Sequence, residues 1–318
     1  MRVLITGGAG FIGSHLTDYY FSKGCDITVL DNLSTGNLDN IKKNFNRIQF
    51  VNDDIRNSTI VNELVLQNDL ILHMAAFLGV KNIMENTLEA IDCNYNGSEL
   101  ILKAAAKHRK RIVLASTSEI YGKNSSQPLN EESDRVLGPP QFTRWTYSDS
   151  KSLEEATAFF LHKMFDLPVT TARLFNTVGP RQTGQYGMVI PRFVQAALNN
   201  QDLLVYGDGS QSRVFCHVLD VVRAIDLLVS NDITIGEYFN VGGFGEITML
   251  ELAKKIIVMT GSKSKIRFID YSDAYAFGFE DMKRRVPDIT KIFSAVKWQP
   301  ILNLDDILKD VISSISTK

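Results

Sequence analysis

Short β-branched runs alternate with amphipathic stretches through the first half of the chain, the rhythm of strand–helix–strand units that build a parallel sheet. The apolar runs predict strands over 3–6, 27–31, 48–51, 70–73, 112–115 and 169–174. Apolar positions at three- and four-residue spacing predict helices over 12–22, 60–66, 89–107 and 147–165. Beyond residue 175 the rhythm loosens. Gly-rich turns fall at 184–187, 207–209 and 242–245, and short helices are expected over 189–199, 220–229 and 248–260. The pattern predicts an α/β fold in two parts. Residues 1–175 form a doubly wound parallel sheet, to which segments from 212–242 can return, and 176–318 mainly form a smaller C-terminal substrate-binding lobe. Segment 123–143, with Pro128, Pro139 and Pro140, reads as a long loop and a candidate substrate lid.

Composition narrows the function classes. With 318 residues, 44% of them hydrophobic, the chain can bury a large core. A net charge of -2 lacks the basic excess of a nucleic-acid binder. The densest basic stretches, 107–111 and 283–285, read as solvated faces beside buried strands. The three cysteines, Cys25, Cys93 and Cys216, match no zinc or redox spacing, and His73 has no partner for metal ligation, so neither a disulfide framework nor a metal is expected. No apolar run approaches the ~18 residues of a membrane span. The expectation is a soluble cytoplasmic protein.

The first predicted strand runs directly into Gly7-Gly8-Ala9-Gly10-Phe11-Ile12-Gly13, which opens the first predicted helix. A lone glycine pattern is weak, but between a strand and a helix it is the dinucleotide fingerprint of a Rossmann fold. Gly7 permits the tight turn, Gly10 lets backbone approach a pyrophosphate, and Gly13 lets helix pack on strand. The helix N-terminus, at Phe11 and Ile12, then faces the phosphates. Asp31 ends the second strand, 18 residues past Gly13, where a carboxylate would bond the adenosine ribose and repel a 2′-phosphate. That chooses NAD over NADP; the competing reading is a turn cap with Asn32. Asp54-Ile55, just past strand three, suits an adenine contact or equally a helix N-cap.

Tyr147 and Lys151 stand four apart, on one face of a predicted helix. An ammonium beside a phenol favours phenolate and lowers its pKa from about 10. Such a phenolate takes a proton from a substrate hydroxyl while hydride leaves the same carbon for a nicotinamide. Ser116-Thr117-Ser118-Glu119 follows strand five at its carboxyl end, where doubly wound folds bind ligands. Thr117 can bond the same hydroxyl. Glu119 has no use in simple alcohol oxidation; it suits an enzyme that handles a second proton or a C5 substituent, or else it only caps a turn.

Together, G-x-x-G-x-x-G, Asp31, Ser116-Thr117-Ser118-Glu119-Ile120-Tyr121-Gly122 and Y-x-x-x-K resemble the extended short-chain dehydrogenases that act on nucleotide sugars: epimerases, dehydratases and decarboxylases. The resemblance continues through Arg173-Leu174-Phe175-Asn176-Thr177-Val178-Gly179-Pro180-Arg181 and 189–213, and so spans nearly the whole chain. It implies bound NAD, oxidation at C4 to a 4-keto sugar, further chemistry, and reduction by the same cofactor. It also implies that Asn176 contacts a diphosphate, Val189 the nucleobase region, and Arg192 and Arg213 the substrate phosphates. Asn94 matches a cofactor-side asparagine, and Ala75 and Ala76 the small-residue turn beside the nicotinamide ribose. Thr117-Ser118-Glu119 resembles UDP-glucuronate decarboxylases and GDP-mannose 4,6-dehydratases, whereas 173–180 looks more like decarboxylases and epimerases. The reading favoured here is a UDP-glucuronate decarboxylase-like enzyme, with Thr117 and Ser118 at the C4 oxygen. A UDP-sugar 4-epimerase, a 4,6-dehydratase using Glu119 as base at C5, and a non-catalytic NAD-binding regulator are the alternatives. The resemblance further implies a homodimer through the two long helices, whose Ile91, Leu102, Ala106, Phe159, Phe160 and Phe165 extend beyond one face.

Overall fold

The structure, a computed structural model, describes residues 1–184, 187–270 and 282–316. Seven strands form one all-parallel sheet: β1 (Arg2–Thr6), β2 (Asp26–Leu30), β3 (Gln49–Val51), β4 (Leu70–His73), β5 (Arg111–Thr117), β6 (Val169–Leu174) and β11 (Tyr238–Val241), in the order β11-β6-β5-β4-β1-β2-β3. Successive strand residues point to opposite faces. Val3 and Ile5 therefore enter one apolar layer, with Leu16, Tyr20, Val221, Ile225 and Trp298, while Leu4 enters the other, with Val61, Leu64, Ile101 and Leu102. The first layer is covered by α1 (Phe11–Ser22) and α8 (Val218–Val229). The second is covered by α2 (Ser58–Gln67), α5 (Ser98–Lys107) and α6 (Thr146–Phe165). With both faces covered, each fully buried Val, Leu or Ile contributes roughly 1.5–3 kcal/mol relative to exposure.

The strand order reverses direction between β1 and β4, and ligands of doubly wound sheets bind at the carboxyl ends on either side of such a point. The loops following β1, β4 and β5 meet there. The long helix expected over 89–107 is α4 (Thr87–Ile91), a π-helical stretch Asp92–Gly97, and α5. Gly97 lets this stretch pack closely on Ile55: a Cβ there would lie 2.6 Å from Ile55 Cδ1.

Strand β11 has no counterpart among the predicted strands. It pairs with β6 through Tyr238–Thr171 to Val241–Leu174 and extends the sheet by one strand. A separate core gathers α7 (Val189–Leu198), β8 (Leu203–Tyr206), α9 (Met249–Thr260), β13 (Ile266–Ile269) and the last helix, Leu304–Ser316. The smaller ladder of β9 (Ser212–Arg213), β12 (Ile247–Thr248) and β14 (Arg284–Arg285) lies between that lobe and the sheet. The glycine-rich turn expected at 184–187 lies partly outside the described residues.

The expected lid over 123–143 is instead a strap packed on the edge of the fold. Leu129 is buried, its N–H donates to Val286 O at 2.8 Å and its O accepts from Asp288 N at 2.8 Å. Glu131 accepts from Asn240 N at 2.7 Å. Backbone pairing of Leu129 with the C-terminal segment and the side-chain bond of Glu131 to β11 hold the segment to the fold, unlike a free-standing flap. Among the described residues no helix is long and apolar enough to cross a membrane.

Candidate active site

The glycine loop turns as its spacing requires. Gly7 has φ +67°, and a Cβ there would meet Ala75 backbone at 2.8 Å. A Cβ on Gly13 would lie 2.1 Å from Gly7 O, so the start of α1 rests directly on the loop. Gly10 is the N-cap of α1, with no side chain capping the helix, and this leaves its first turn to a ligand. Asp31 is buried and accepts from Ala9 N and Leu33 N, each at 2.9 Å. A carboxylate thus sits against the glycine loop at the tip of β2, and the loop, the open helix end and Asp31 together fit NAD.

The adjoining residues divide. Asn32 donates to Asp54 at 2.8 Å, and Arg56 takes both Asp54 oxygens at 2.8 Å. This guanidinium holds the Asp54 carboxyl at about 2. Asp54 is not the N-cap of α2: that is Asn57, whose side chain accepts from Ile60 N. The Ile55 side chain belongs to the core against Gly97. Asn94 is fully buried and does not line the cavity. Its amide clamps Phe77, accepting from N at 2.7 Å and donating to O at 3.1 Å, which fixes the loop after β4. Ala76, one residue before Phe77, faces the cavity, and Ala75 N donates to Thr6 Oγ1 at 3.3 Å.

A cavity of about 370 Å³ opens at the carboxyl ends of β1, β4 and β5. Phe11, Ile12, Thr117, Ser118, Glu119, Tyr147 and Lys151 line it together with Asn176, Val189, Arg192 and Arg213. The sequence candidates for chemistry and for substrate binding therefore share one chamber. Thr117 ends β5, accepts from Glu119 N at 3.2 Å, and hydrogen bonds the Tyr147 side chain. Arg192 stacks on Tyr206 at 4.6 Å, and Asn176 donates to Val214 O at 2.9 Å.

Two expectations change here. The first concerns Tyr147. Burial raises its pKa above the ordinary phenol value, and the Glu154 and Glu119 carboxylates raise it further. Lys151 does not offset this, because its ammonium is bound to Glu154 Oε2 at 2.9 Å and to Ala115 O at 3.0 Å. The second concerns the basic stretch 283–285. Arg284 does lie on a solvated face, paired with Glu246. Arg285 is 8% exposed, points into the cavity, binds Glu119 Oε1 and donates to Asn176 Oδ1 at 2.5 Å.

Glu119 thus stands between Arg285 and Arg144, the latter at 2.7 Å from Oε2. Burial would raise the Glu119 pKa, but the two guanidiniums outweigh it and hold the carboxyl at about 2. Neither arginine belongs to a motif that singles it out. Arg144 precedes Tyr147 by three residues, and Arg285 arrives through the β14–β9 pairing. Proximity in sequence to Tyr147 could have suggested the first; nothing local could have suggested the second.

A glycine-loop Rossmann sheet with tyrosine and lysine one helical turn apart at its crevice defines a short-chain dehydrogenase-type enzyme. The chain belongs to the GDP-mannose 4,6 dehydratase family, whose profile matches residues 4–311. It is 41% identical over 312 residues to UDP-N-acetyl-alpha-D-glucosaminuronate decarboxylase of Bacillus cytotoxicus, covering 98% of this chain and 96% of that protein. It is 35% identical over 318 residues to UDP-glucuronic acid decarboxylase 1 of Danio rerio, covering 99% of this chain and 72% of that one. The crystal structure of UDP-glucuronic acid 4-epimerase from Bacillus cereus, in complex with UDP-glucuronic acid and NAD, superposes with a TM-score of 0.90 at 25% identity, covering 100% and 99% of the two chains. The nucleotide-sugar epimerase, dehydratase and decarboxylase group inferred from the motifs is therefore the right one, and the chain is an enzyme of that group.

Proposed function

We propose that this enzyme decarboxylates a UDP-linked hexuronate, with NAD as its cofactor. The observation that carries the reading is the Glu119 carboxylate held between two cavity arginines, Arg144 and Arg285. Two guanidiniums against one carboxylate leave a net positive charge beside the reacting residues, suited to a second carboxylate on the substrate. The same arrangement speaks against a 4,6-dehydratase. A carboxyl held at about 2 is a weak base for a C5 proton. The relatives named as UDP-hexuronate decarboxylases support the same choice.

Tyr147 takes the proton of the C4 hydroxyl, with Thr117 and Ser118 holding that oxygen. NAD, when bound, accepts hydride from C4 and later returns it. The ketone at C4 lies β to the C6 carboxylate, so the C5–C6 bond breaks with its electron pair drawn into the enolate oxygen, and carbon dioxide leaves. Water supplies the proton at C5, and Tyr147 gives its proton back to the C4 oxygen as hydride returns to that carbon. Glu119 stays ionised throughout and fixes the two arginines against the sugar. Gly7, Gly10 and Gly13, with the backbone of Phe11 and Ile12, cradle the dinucleotide phosphates. Asp31 holds the adenosine ribose beside Asn32, and the strand-end segments of Asp54-Ile55 and Ala75-Ala76 border the cofactor. Asn176, Val189, Arg192 and Arg213 hold the nucleotide diphosphate.

The test is incubation with UDP-glucuronate and, separately, UDP-N-acetylglucosaminuronate, with products read by mass and NMR. Loss of carbon dioxide from either to give a UDP-pentose is the expected result. A hexuronate product of unchanged mass makes the enzyme a 4-epimerase, and loss of water from UDP-glucose, offered in parallel because a hexuronate has no C6 hydroxyl to lose, makes it a dehydratase; either outcome overturns the reading.

A homodimer through the long helices belongs to the same proposal. Leu88, Ile91, Leu153, Phe160, Met164 and Phe165 are exposed apolar side chains on the neighbouring α4 and α6, a concentration that favours a partner helix pair. Leu102, by contrast, is fully buried within the protomer.

A further inference from the structure

Tyr147, Lys151 and Glu154 lie at i, i+4 and i+7 on α6, which places all three on one stripe of the helix. Lys151 and Glu154 form an ion pair of 2.9 Å in which the side chains are 2% and 0% exposed. A buried ion pair is costly to assemble and adds little stability for its cost. No part of the chemistry derived above uses Glu154. A neutral residue at this position would leave the Lys151 ammonium to act on the phenol alone.

We infer that Glu154 is a positioning residue that competes with Tyr147 for the Lys151 ammonium and so sets the pH at which the tyrosine becomes a base. The inference rests on Tyr147 being the proton acceptor from the sugar hydroxyl. Three features besides the ion pair support it. Lys151 is oriented away from a solely phenol-directed role by a second bond to Ala115 O at 3.0 Å. Glu154 raises the proton affinity of Tyr147, ranking behind burial alone. The Glu154 carboxyl is itself raised to about 7, first by burial and against the pull of Lys151.

The other groups around Glu154 are few. Ser98 faces it from α5 and favours its charged form, and the Ser98 hydroxyl lies 2.8 Å from His73 Nε2. His73 on β4 is buried and held at about 3, first by burial and then by Lys151, so it stays neutral. Cys93, on the π-helical stretch, is pushed up to about 11 and also stays neutral. Glu155, the neighbour on α6, is committed to Arg173 at 2.8 Å, and Glu119 to its two arginines. Among these described groups, the charge left to redistribute is that shared by Tyr147, Lys151 and Glu154.

The test compares wild type, Glu154→Gln and Glu154→Asp as full-length enzyme. One readout is the pH profile of kcat/KM on the UDP-hexuronate turned over. The other is a tyrosinate absorbance titration with the Tyr147→Phe titration subtracted. Freeing the ammonium lowers the acidic limb and the Tyr147 titration together in Glu154→Gln, by about one pH unit or more. Well below the limb this makes the variant about tenfold or more faster than wild type. Glu154→Asp keeps the charge but draws it back from Lys151, and shifts both curves part of the way in the same direction. It decides the matter if the glutamine variant does not fold. A limb and titration that stay put, or move upward, in a folded variant overturn the inference, whatever happens to kcat. A wild type that turns over no UDP-hexuronate overturns the proposed function instead, and the absorbance titration still decides the role of Glu154.

Discussion

At the scale of single residues, the charge on one side chain decides what the others can do. Glu119 could serve as a base in a polar, solvated setting, yet between Arg144 and Arg285 it is a fixed anion. In the proposed function, Arg285 is the residue that meets the substrate carboxylate. Charge-assisted hydrogen bonds contribute about 1.5–3 kcal/mol. Arg285→Leu is therefore expected to lower kcat/KM for a UDP-hexuronate roughly ten- to 100-fold, with a much smaller effect on binding of a UDP-hexose, whose sugar carries no carboxylate, measured by calorimetry. Equal losses for acid and neutral sugar would remove Arg285 from carboxylate recognition. Tyr147 and Lys151 were legible from spacing alone, because a helix places i and i+4 together whatever surrounds them. Their electrostatics were not. The pair's environment is set by Glu154 on the same helix and by burial under β5, and burial is a property no local window contains.

At the scale of elements, the junction of β1, the glycine loop and α1 is the tightest contact of the site. The Gly13 position has no room for a methyl group, since a Cβ would lie 2.1 Å from Gly7 O. Overpacking of this kind costs about 1–3 kcal/mol. Gly13→Ala should lower the melting temperature and leave the purified protein with little NAD, measured by acid release and absorbance. Retention of NAD at the wild-type level would mean that the loop can shift without cost. The junction was readable because each glycine answers a local backbone demand. The strap over 123–143 was misread for the converse reason. Its prolines predict a loop correctly, but the pairing of Leu129 with Val286 and Asp288 is made across more than 150 residues of chain.

At the scale of the whole molecule, the C-terminal half returns to the sheet once and builds a smaller ladder of its own. Strand β11 adds itself beside β6, and the Arg284–Arg285 strand pairs with β9, carrying Arg285 to the cavity. The apolar faces of α4 and α6 remain exposed after this packing, with Phe160 at 59% exposure. Phe160→Asp is expected to convert a dimer to a monomer in sedimentation velocity without changing the circular dichroism spectrum. A wild type that sediments as a monomer ends the dimer proposal.

The sequence by itself determined the parallel-sheet class, the dinucleotide loop, the Tyr147–Lys151 pair and the family. Each is written in short-range spacing, and periodicity and steric demand act over a few residues. The tertiary structure alone decided that Arg285 meets Glu119 across 166 positions, that Asn94 braces the loop at Phe77 rather than lining the cavity, and that Glu154 holds the ammonium beside the phenol. These depend on long-range contact and on exclusion of water, which set the strength of every charge in the site. The first group of facts names the chemistry, and the second sets the charges that surround it.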